Sequence, residues 1–184
     1  MAFVVVWSSP NTDGLTAASK DRIISGIRAA RKDVVEFHLN RKKIEMCSAC
    51  GNGWGTCISK GSCVKKDDFQ EIYDAFREAE GIVLVTPVYW GDLSENLKAL
   101  LDRMRRCEPF TNHWLNGKRC LLVACAGGSG NGTISCLDRM ETTMRHMGVQ
   151  ALDRLPITRF SREYMLPAMR EAGEQFALHA EDWK

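Results

Sequence analysis

Five short apolar segments alternate with amphipathic segments along the chain, and this alternation constrains the fold more than any other sequence feature. Each apolar segment has the length of a buried strand, and each is followed by a stretch whose apolar residues recur at helical spacing. The repeated order of strand and helix predicts an α/β fold, in which a parallel sheet carries helices on both faces. The predicted strands are residues 3–8, 34–39, 81–86, 119–126 and 149–157.

The segments between these strands supply the predicted helices. The expected ranges are residues 15–30, about 68–79, 94–104, 133–147 and 161 onward, with Asp67 or Asp68 capping the second helix and Ser94 the third. Residues 42–66 are rich in Cys and Gly and show no clear period. We interpret them as an excursion without regular structure.

Length and composition limit the classes of function. The 184 residues are enough for one compact domain, predicted over residues 1–184, and a content of 45% hydrophobic and 26% charged residues is that of an ordinary globular protein. The net charge of +2 indicates neither a nucleic acid nor a membrane as partner. Because the N-terminal apolar run is too short for a secretory signal, we expect a cytoplasmic protein.

Three loops with chemically informative residues each follow a predicted strand, so all three should lie at one edge of the sheet. The first, residues 8–14, offers hydroxyl groups and free backbone N–H groups at a helix start, which suits a phosphate. An ordinary turn capped by Ser or Thr is the open alternative.

The other two loops offer surfaces for a planar ligand. The second loop, residues 87–92, contains Tyr89 and Trp90, which can stack on a flat ring or instead cover the sheet edge or form a subunit contact. The third, residues 126–132, contains four glycines, which allow close backbone approach or form a mobile turn. A flat ring with a phosphate tail, such as flavin mononucleotide (FMN), fits these three loops together.

Two other phosphate-binding motifs do not fit the sequence. The G-x-x-x-x-G-K-[ST] motif of P-loop NTPases is absent. The glycine cluster follows the fourth strand rather than the first, and Ser135 stands where a dinucleotide G-x-G-x-x-G motif needs its last glycine.

Three segments resemble the NAD(P)H-dependent FMN reductases and iron–sulfur flavoproteins, which have the flavodoxin-like fold. The segment Thr86–Trp90, followed by L-K at 97–98 and D-R at 102–103, is similar to that family's S-P-V-Y-W…L-K…D-R signature. Residues 67–69, D-D-F, are similar to its D-D-M. Residues 8–16 keep the Ser, Pro, Gly and Thr of its phosphate loop, with Asn11 replacing a basic residue and Leu15 replacing Asn.

The resemblance implies a flavodoxin-like three-layer sandwich with a five-stranded parallel sheet in the order 2-1-3-4-5. It implies FMN as cofactor, NADH or NADPH as co-substrate, a small-molecule acceptor such as a quinone or a flavin, and a homodimer or homotetramer. No catalytic side chain is expected, because the cofactor carries the hydride chemistry. The implied FMN-binding residues are Ser9, Asn11, Leu15, Thr16, Pro87, Val88, Tyr89, Trp90, Ala126, Gly127, Gly128 and Gly130.

Half of the eight cysteines lie within the excursion, in the spacing C-x2-C-x6-C-x5-C: Cys47, Cys50, Cys57 and Cys63. Four thiolates are enough for one tetrahedral sulfur site. The segment resembles iron–sulfur flavoproteins, whose compact motif holds a cluster, although the third cysteine of that motif would fall at Gly53. An iron–sulfur cluster, a zinc ion, a redox disulfide and no metal at all remain open from the spacing.

The other cysteines and the histidines give no ligand pattern. We interpret the remaining cysteines as small core residues, because they fall in predicted helices or strands. The histidines have no mutual spacing of a ligand set, and we interpret them as structural or surface residues. These residues are Cys107, Cys120, Cys125 and Cys136, and His38, His113, His146 and His179.

The sequence therefore favours an FMN-dependent oxidoreductase that uses NAD(P)H. The alternative is a flavodoxin-like electron carrier that does not itself use NAD(P)H and that has or lacks an iron–sulfur cluster. Flavodoxins commonly carry a strongly acidic surface, so the net charge of +2 favours the enzyme. A regulator that kept the fold and lost the flavin is a third alternative, supported only by the altered phosphate loop.

Overall fold

The computed structural model describes residues 1–108, 113–180 and 182. Within these residues, five strands form one sheet in which every pairing is parallel and the order is β2-β1-β3-β4-β5. This order confirms the predicted flavodoxin-like arrangement. The strands are β1 (Phe3–Trp7), β2 (Val34–His38), β3 (Ile82–Pro87), β4 (Arg119–Ala126) and β5 (Gln150–Thr158).

Six α-helices connect or follow these strands in the part of the chain that the structure describes. α1 and α6 pack on one face of the sheet, and α3, α4 and α5 pack on the other. None of the described helices is long and apolar enough to cross a membrane. The helices are α1 (Leu15–Ala29), α2 (Thr56–Lys60), α3 (Phe69–Glu78), α4 (Glu95–Cys107), α5 (Thr133–His146) and α6 (Arg162–His179).

The predicted element boundaries agree with these ranges to within a few residues, with one correction. The excursion does contain regular structure, because the five-residue helix α2 lies inside it. A helix this short has too few turns to produce a recognisable apolar period, so the sequence pattern could not reveal it. The predicted Ser94 cap is confirmed, since its hydroxyl accepts the backbone N–H of Leu97 at 3.4 Å.

The three inner strands β1, β3 and β4 are largely continuous apolar runs, because helices cover both faces of the sheet there, whereas the edge strands β2 and β5 keep exposed polar positions. In β1, Val4 and Val6 belong to the core beneath α3, α4 and α5, whereas Phe3, Val5 and Trp7 belong to the core beneath α1 and α6. All five side chains are buried. Side chains that alternate between two covered faces therefore account for the absence of a polar position in this strand.

The helices α1 and α6 approach each other at backbone distance. A Cβ atom placed on Gly26 would lie 2.0 Å from the carbonyl oxygen of Arg170, and one placed on Gly173 would lie 2.4 Å from that of Ile23. Both distances are far shorter than a van der Waals contact. The two glycines are therefore required for this helix pair to pack.

A buried ion pair joins the start of α3 to α4. The guanidinium of Arg103 donates to both carboxylate oxygens of Asp67, at 2.6 and 2.9 Å, and also to the carbonyl oxygen of Glu45 at 3.0 Å. The Asp67 side chain is 0% exposed and that of Arg103 is 1% exposed. These residues come from two separate motifs of the family resemblance, and the fold brings them into one bidentate contact.

The two aspartates of the D-D motif also close the base of the excursion. Asp67 accepts the backbone N–H of Glu45 at 2.8 Å, and Asp68 accepts that of Lys43 at 2.7 Å. The backbone N–H of Asp68 donates in return to the carbonyl oxygen of Lys43 at 3.1 Å. The first residues of the excursion are thereby bound to the two aspartates that directly follow it. Asp68 is the N-cap residue of α3 but its side chain makes no cap hydrogen bond, whereas Asp67 accepts the N–H of Phe69 at 3.3 Å.

We predict that Asp67→Ala lowers the free energy of unfolding by about 3–5 kcal/mol, because it leaves the Arg103 charge buried without its carboxylate. Asp68→Ala is the matched control, since it removes one more accessible hydrogen bond and should cost only about 0.5–1.5 kcal/mol. Urea unfolding of both variants measures the difference. Equal losses in the two variants would contradict the role assigned to the ion pair.

The same pair predicts a dependence of stability on pH. Burial opposes ionisation of Asp67, but hydrogen bonds from Arg103 and from backbone N–H groups outweigh it and hold the pKa of Asp67 below its ordinary value of 3.8. The stabilisation of the folded state by ionised Asp67 is therefore fully present above the unfolded-state pKa. It is lost as the pH falls through the lower folded-state pKa. The difference in free energy of unfolding between the wild type and Asp67→Ala should narrow only below about pH 4.

Candidate functional site

Three hydroxyl groups join the carboxyl ends of the two central strands to the start of α4. Ser94 Oγ donates to Ser8 Oγ at 2.6 Å, and Ser8 Oγ donates to Thr86 Oγ1 at 3.3 Å. The backbone N–H of Ser94 donates to Thr86 Oγ1 at 3.0 Å. Because the strand order reverses between β1 and β3, this cluster lies at the crevice where doubly wound sheets bind ligands.

The first loop leads directly into α1 and leaves backbone donors at the helix start. The N-cap residue is Gly14, which has no side chain to accept a hydrogen bond, and the first intrahelical bond runs from Ala18 N–H to its carbonyl oxygen at 3.0 Å. The N–H groups of residues 15–17 precede that bond and the first turn carries no acidic residue. The start of α1 can therefore bind an anion.

The predicted residues of the first loop differ in exposure. Ser9 and Thr16 are buried, Leu15 is partly buried and Asn11 is exposed. Ser9 Oγ accepts the backbone N–H of Asn11 at 3.2 Å, which turns the loop towards α1. The departures from the family pattern at Asn11 and Leu15 therefore fall on the more accessible positions.

The second loop forms a tight turn that presents a fully exposed tryptophan. Tyr89 and Asp92 exchange two backbone hydrogen bonds, at 2.9 and 3.0 Å. The central residues, Trp90 and Gly91, have φ angles of +52° and +79°, as a type I′ turn requires. Trp90 is 101% exposed, and a left-handed conformation is unfavourable for such a residue. Strain at an exposed aromatic residue makes Trp90 a candidate functional position.

The second and third loops enclose one open cavity of about 700 Å³, including its mouth. Cβ atoms placed on Gly127 or Gly128 would meet nothing within 4 Å, so the backbone is openly accessible there. The structure thus brings six of the predicted residues together: Val88, Trp90, Ala126, Gly127, Gly128 and Gly130. The other six lie outside the lining of this cavity, namely Pro87 and Tyr89 in the second loop and Ser9, Asn11, Leu15 and Thr16 in the first.

Contacts between the second loop and α5 hold this cavity in shape. Ser135 Oγ donates to the carbonyl oxygen of Gly91 at 3.0 Å, and Arg139 contacts the Asp92 carboxylate at 3.0 Å. A Cβ atom on Gly132 would lie only 2.7 Å from the Cα atom of Gly91. The two loops therefore touch through their backbones at a pair of glycines.

A second cavity, of about 360 Å³ including its mouth, lies between the excursion and α4. All four cysteines of the excursion line it, together with Cys107 from α4 and three cationic side chains: Lys65, Arg103 and Arg106. Within residues 1–108, 113–180 and 182, no three Cys, His, Asp or Glu side chains are arranged to hold a single metal ion. The cavity therefore has the donor chemistry of a sulfur site without the geometry of a single-ion site.

The interpretation of Cys107 from its sequence position alone is incomplete. Cys107, Cys120, Cys125 and Cys136 are all buried, as predicted. Burial raises the pKa of the Cys107 thiol to about 12, and the neighbouring Cys57 and Cys63 add to the effect. Cys107 is thus also a fifth thiol of the cavity. Cys107 is the last residue of α4, and α3 and β3 separate it from the cysteine motif, so its spacing in the sequence does not reveal this contact.

A second residue missed by sequence reasoning is His38, for which the sequence predicts only a structural or surface role. Its Nε2 atom donates to the carbonyl oxygen of Ser9 in the first loop at 2.8 Å. The available signal is topological: in a 2-1-3 strand order, the last residue of β2 lies beside the loop that follows β1.

Sequence comparison finds relatives that are named iron–sulfur flavoproteins. An iron–sulfur flavoprotein of Archaeoglobus fulgidus is 31% identical over 104 residues, which are 56% of this chain and 46% of that protein. One of Methanocaldococcus jannaschii is 33% identical over 125 residues, which are 67% of this chain and 60% of that protein. The chain thus spans about half the length of these relatives.

Among solved structures, an NAD(P)H:quinone oxidoreductase from Methanothermobacter marburgensis has the same fold. It matches with a TM-score of 0.74 over 96% of each chain at 18% sequence identity. The sequence profile of the family described as "NADPH-dependent FMN reductase" matches residues 1–159, which include all three loops. The chain belongs to the NADPH-dependent FMN reductase family.

Proposed function

We propose that the protein is an FMN-dependent oxidoreductase that passes reducing equivalents from NADH or NADPH to a quinone, a flavin or a similar small acceptor. The observation that carries this proposal is that a helix start with free backbone N–H groups and an open, glycine-lined cavity lie at the same edge of the sheet. Membership of a reductase family supports it, as does the likeness in fold to the Methanothermobacter NAD(P)H:quinone oxidoreductase.

The residues at this edge fit FMN by the chemistry they offer. The backbone N–H groups of residues 15–17, with Ser9, Asn11 and Thr16 beside them, would hold the phosphate. Residues 87–90 would contact the ribityl chain and ring edge, and residues 126–130 the ring. When bound, FMN supplies the hydride and electron transfer. The exposed glycines leave room for a flat ring, and Trp90 offers an aromatic face beside it.

The remaining features of the proposal come from the sequence and from the family resemblance. We propose that residues 1–184 act as one FMN-binding domain in the cytoplasm, and that the protein is a homodimer or homotetramer. The choice between an enzyme and an electron carrier depends on use of NAD(P)H, and the net charge of +2 supports the enzyme because it lacks the acidity of a flavodoxin docking surface.

An iron–sulfur cluster at the excursion is a second candidate feature, supported by one observation. Four cysteines of one short segment line the same cavity, and cysteine thiolates are the usual ligands of iron–sulfur clusters. Relatives of this chain are named iron–sulfur flavoproteins.

The first test is spectroscopic. We expect protein purified without oxygen and supplied with FMN to show flavin absorption bands that bleach when NADH or NADPH is added. Bands that persist until dithionite is added would support the electron carrier instead. Protein that takes up no FMN would contradict the proposed cofactor.

The contact between the second and third loops can be tested with two glycine variants that share a backbone conformation. Gly132 and Gly117 both have φ of +84°, so alanine at either should cost about 1–2 kcal/mol of stability. Only Gly132→Ala also drives a methyl group into Gly91, whereas Gly117 has nothing within 4 Å. We expect Gly132→Ala to weaken FMN binding and Gly117→Ala to leave it unchanged, as measured by titration of flavin fluorescence. Equal FMN affinities in the two variants would argue against this site.

The cluster can be tested by iron and sulfide analysis after anaerobic reconstitution. We expect bound iron and sulfide and absorbance beyond the flavin bands, both strongly reduced in Cys47→Ser because a thiolate ligand is lost. Cys120→Ser is the control, since Cys120 is buried in β4 away from the cavity lining. Absence of iron in the wild type, or equal iron in both variants, would exclude these cysteines as ligands.

A further inference from the structure

The last residue of β2 contacts the loop that follows β1. His38 pairs in register with Trp7, and its ring lies flat on the Trp7 indole, with ring centroids 3.7 Å apart and an interplanar angle of 5°. Its Nε2 atom is 2.8 Å from the carbonyl oxygen of Ser9. Since a carbonyl oxygen can only accept, Nε2 is the donor of this hydrogen bond.

The surroundings fix the orientation of the His38 ring. The Trp7 indole N–H donates to Glu36 at 2.8 Å, and Lys20 contacts the same carboxylate at 2.8 Å while lying 5.1 Å from the Trp7 ring centroid. Nδ1 of His38 is buried and has no hydrogen-bond partner among the described residues. Trp7, on which the ring stacks, is therefore held in place, and the Nε2–H group of His38 is directed at the first loop.

We propose that His38 is a positioning residue for the phosphate-binding loop, an inference that rests on the proposed FMN function. The backbone of this loop is held from both neighbouring strands. On the β3 side, the N–H of Ser8 donates to the carbonyl oxygen of Val85 at 3.1 Å. On the β2 side, His38 holds the next residue, Ser9, whose hydroxyl in turn accepts the N–H of Asn11.

This arrangement predicts an effect limited to the phosphate end of the ligand. Without the His38 donor, the carbonyl oxygen of the Ser9–Pro10 peptide loses its contact with β2, and the loop holds its hydroxyl and N–H groups less firmly in one arrangement. The cavity that would take the ring lies between the second and third loops, which His38 does not line. Binding of FMN should therefore weaken, while binding of riboflavin, which has no phosphate, should not.

Three variants test the inference. His38→Phe keeps an aromatic ring on Trp7 but removes the donor, and His38→Gln removes the ring but keeps an N–H donor. His146→Phe, at the exposed end of α5, is the matched control. We would measure dissociation constants for FMN and riboflavin by flavin fluorescence, and the thermal midpoint of each apoprotein.

We expect His38→Phe to bind FMN roughly two- to tenfold more weakly, the effect of one hydrogen bond, with riboflavin affinity unchanged. His38→Gln should restore FMN affinity to near the wild-type value even if its thermal midpoint is lower, and His146→Phe should resemble the wild type. A merely structural histidine would instead lower the thermal midpoint and affect both flavins alike.

Two outcomes would overturn the inference. One is FMN affinity unchanged in His38→Phe, and the other is equal weakening of FMN and riboflavin in that variant. If His38→Phe fails to fold, His38→Gln decides, because a weakened preference for FMN over riboflavin in a variant that keeps the donor would contradict the proposed role. Wild-type protein that binds neither flavin would overturn the proposed function itself and this inference with it.

Discussion

The reversal of strand order at β1 is the constraint on which the rest of the structure depends. The chain places β2 on one side of β1 and β3 on the other, so the loops after β1 and β3 diverge and leave a crevice between them. The hydroxyl cluster of Ser8, Thr86 and Ser94 fills the base of this crevice. Ser94 of this cluster caps α4, and the start of α1 and the glycine-lined cavity lie on the same edge of the sheet.

Helix α4 connects the two regions of the molecule that carry chemistry. Its first turn is fixed at the crevice by Ser94, and its last turns supply Arg103, Arg106 and Cys107 to the thiol cavity. At about 1.5 Å per residue, position 103 lies roughly 14 Å along the helix from position 94. The Asp67–Arg103 pair fastens the excursion to this far part of the helix, so the cysteines are held away from the crevice and not over it.

Much of the fold was predictable because its signals are local. The inner strands are recognisable as continuous apolar runs and most helices by their period, since a sheet covered on both faces leaves little room for polar positions in its inner strands. The short helix α2 escaped prediction because five residues give no period. For the candidate site, the positions of the loops followed from the parallel sheet, but Cys107 at the thiol cavity and His38 at the first loop did not, because each contacts residues distant in sequence.

By itself, the sequence determined the strand and helix order, the three loops at one sheet edge and the four-cysteine excursion, all of which are set by residue type and spacing. Only the tertiary structure decided which distant side chains meet: Asp67 with Arg103, His38 with Ser9, and Cys107 with the excursion. The physical reason is that a side-chain contact between separate elements depends on their packing distance and rotation. A local pattern of apolar residues predicts which face of an element is buried. It does not predict which polar atom of another element will contact that face.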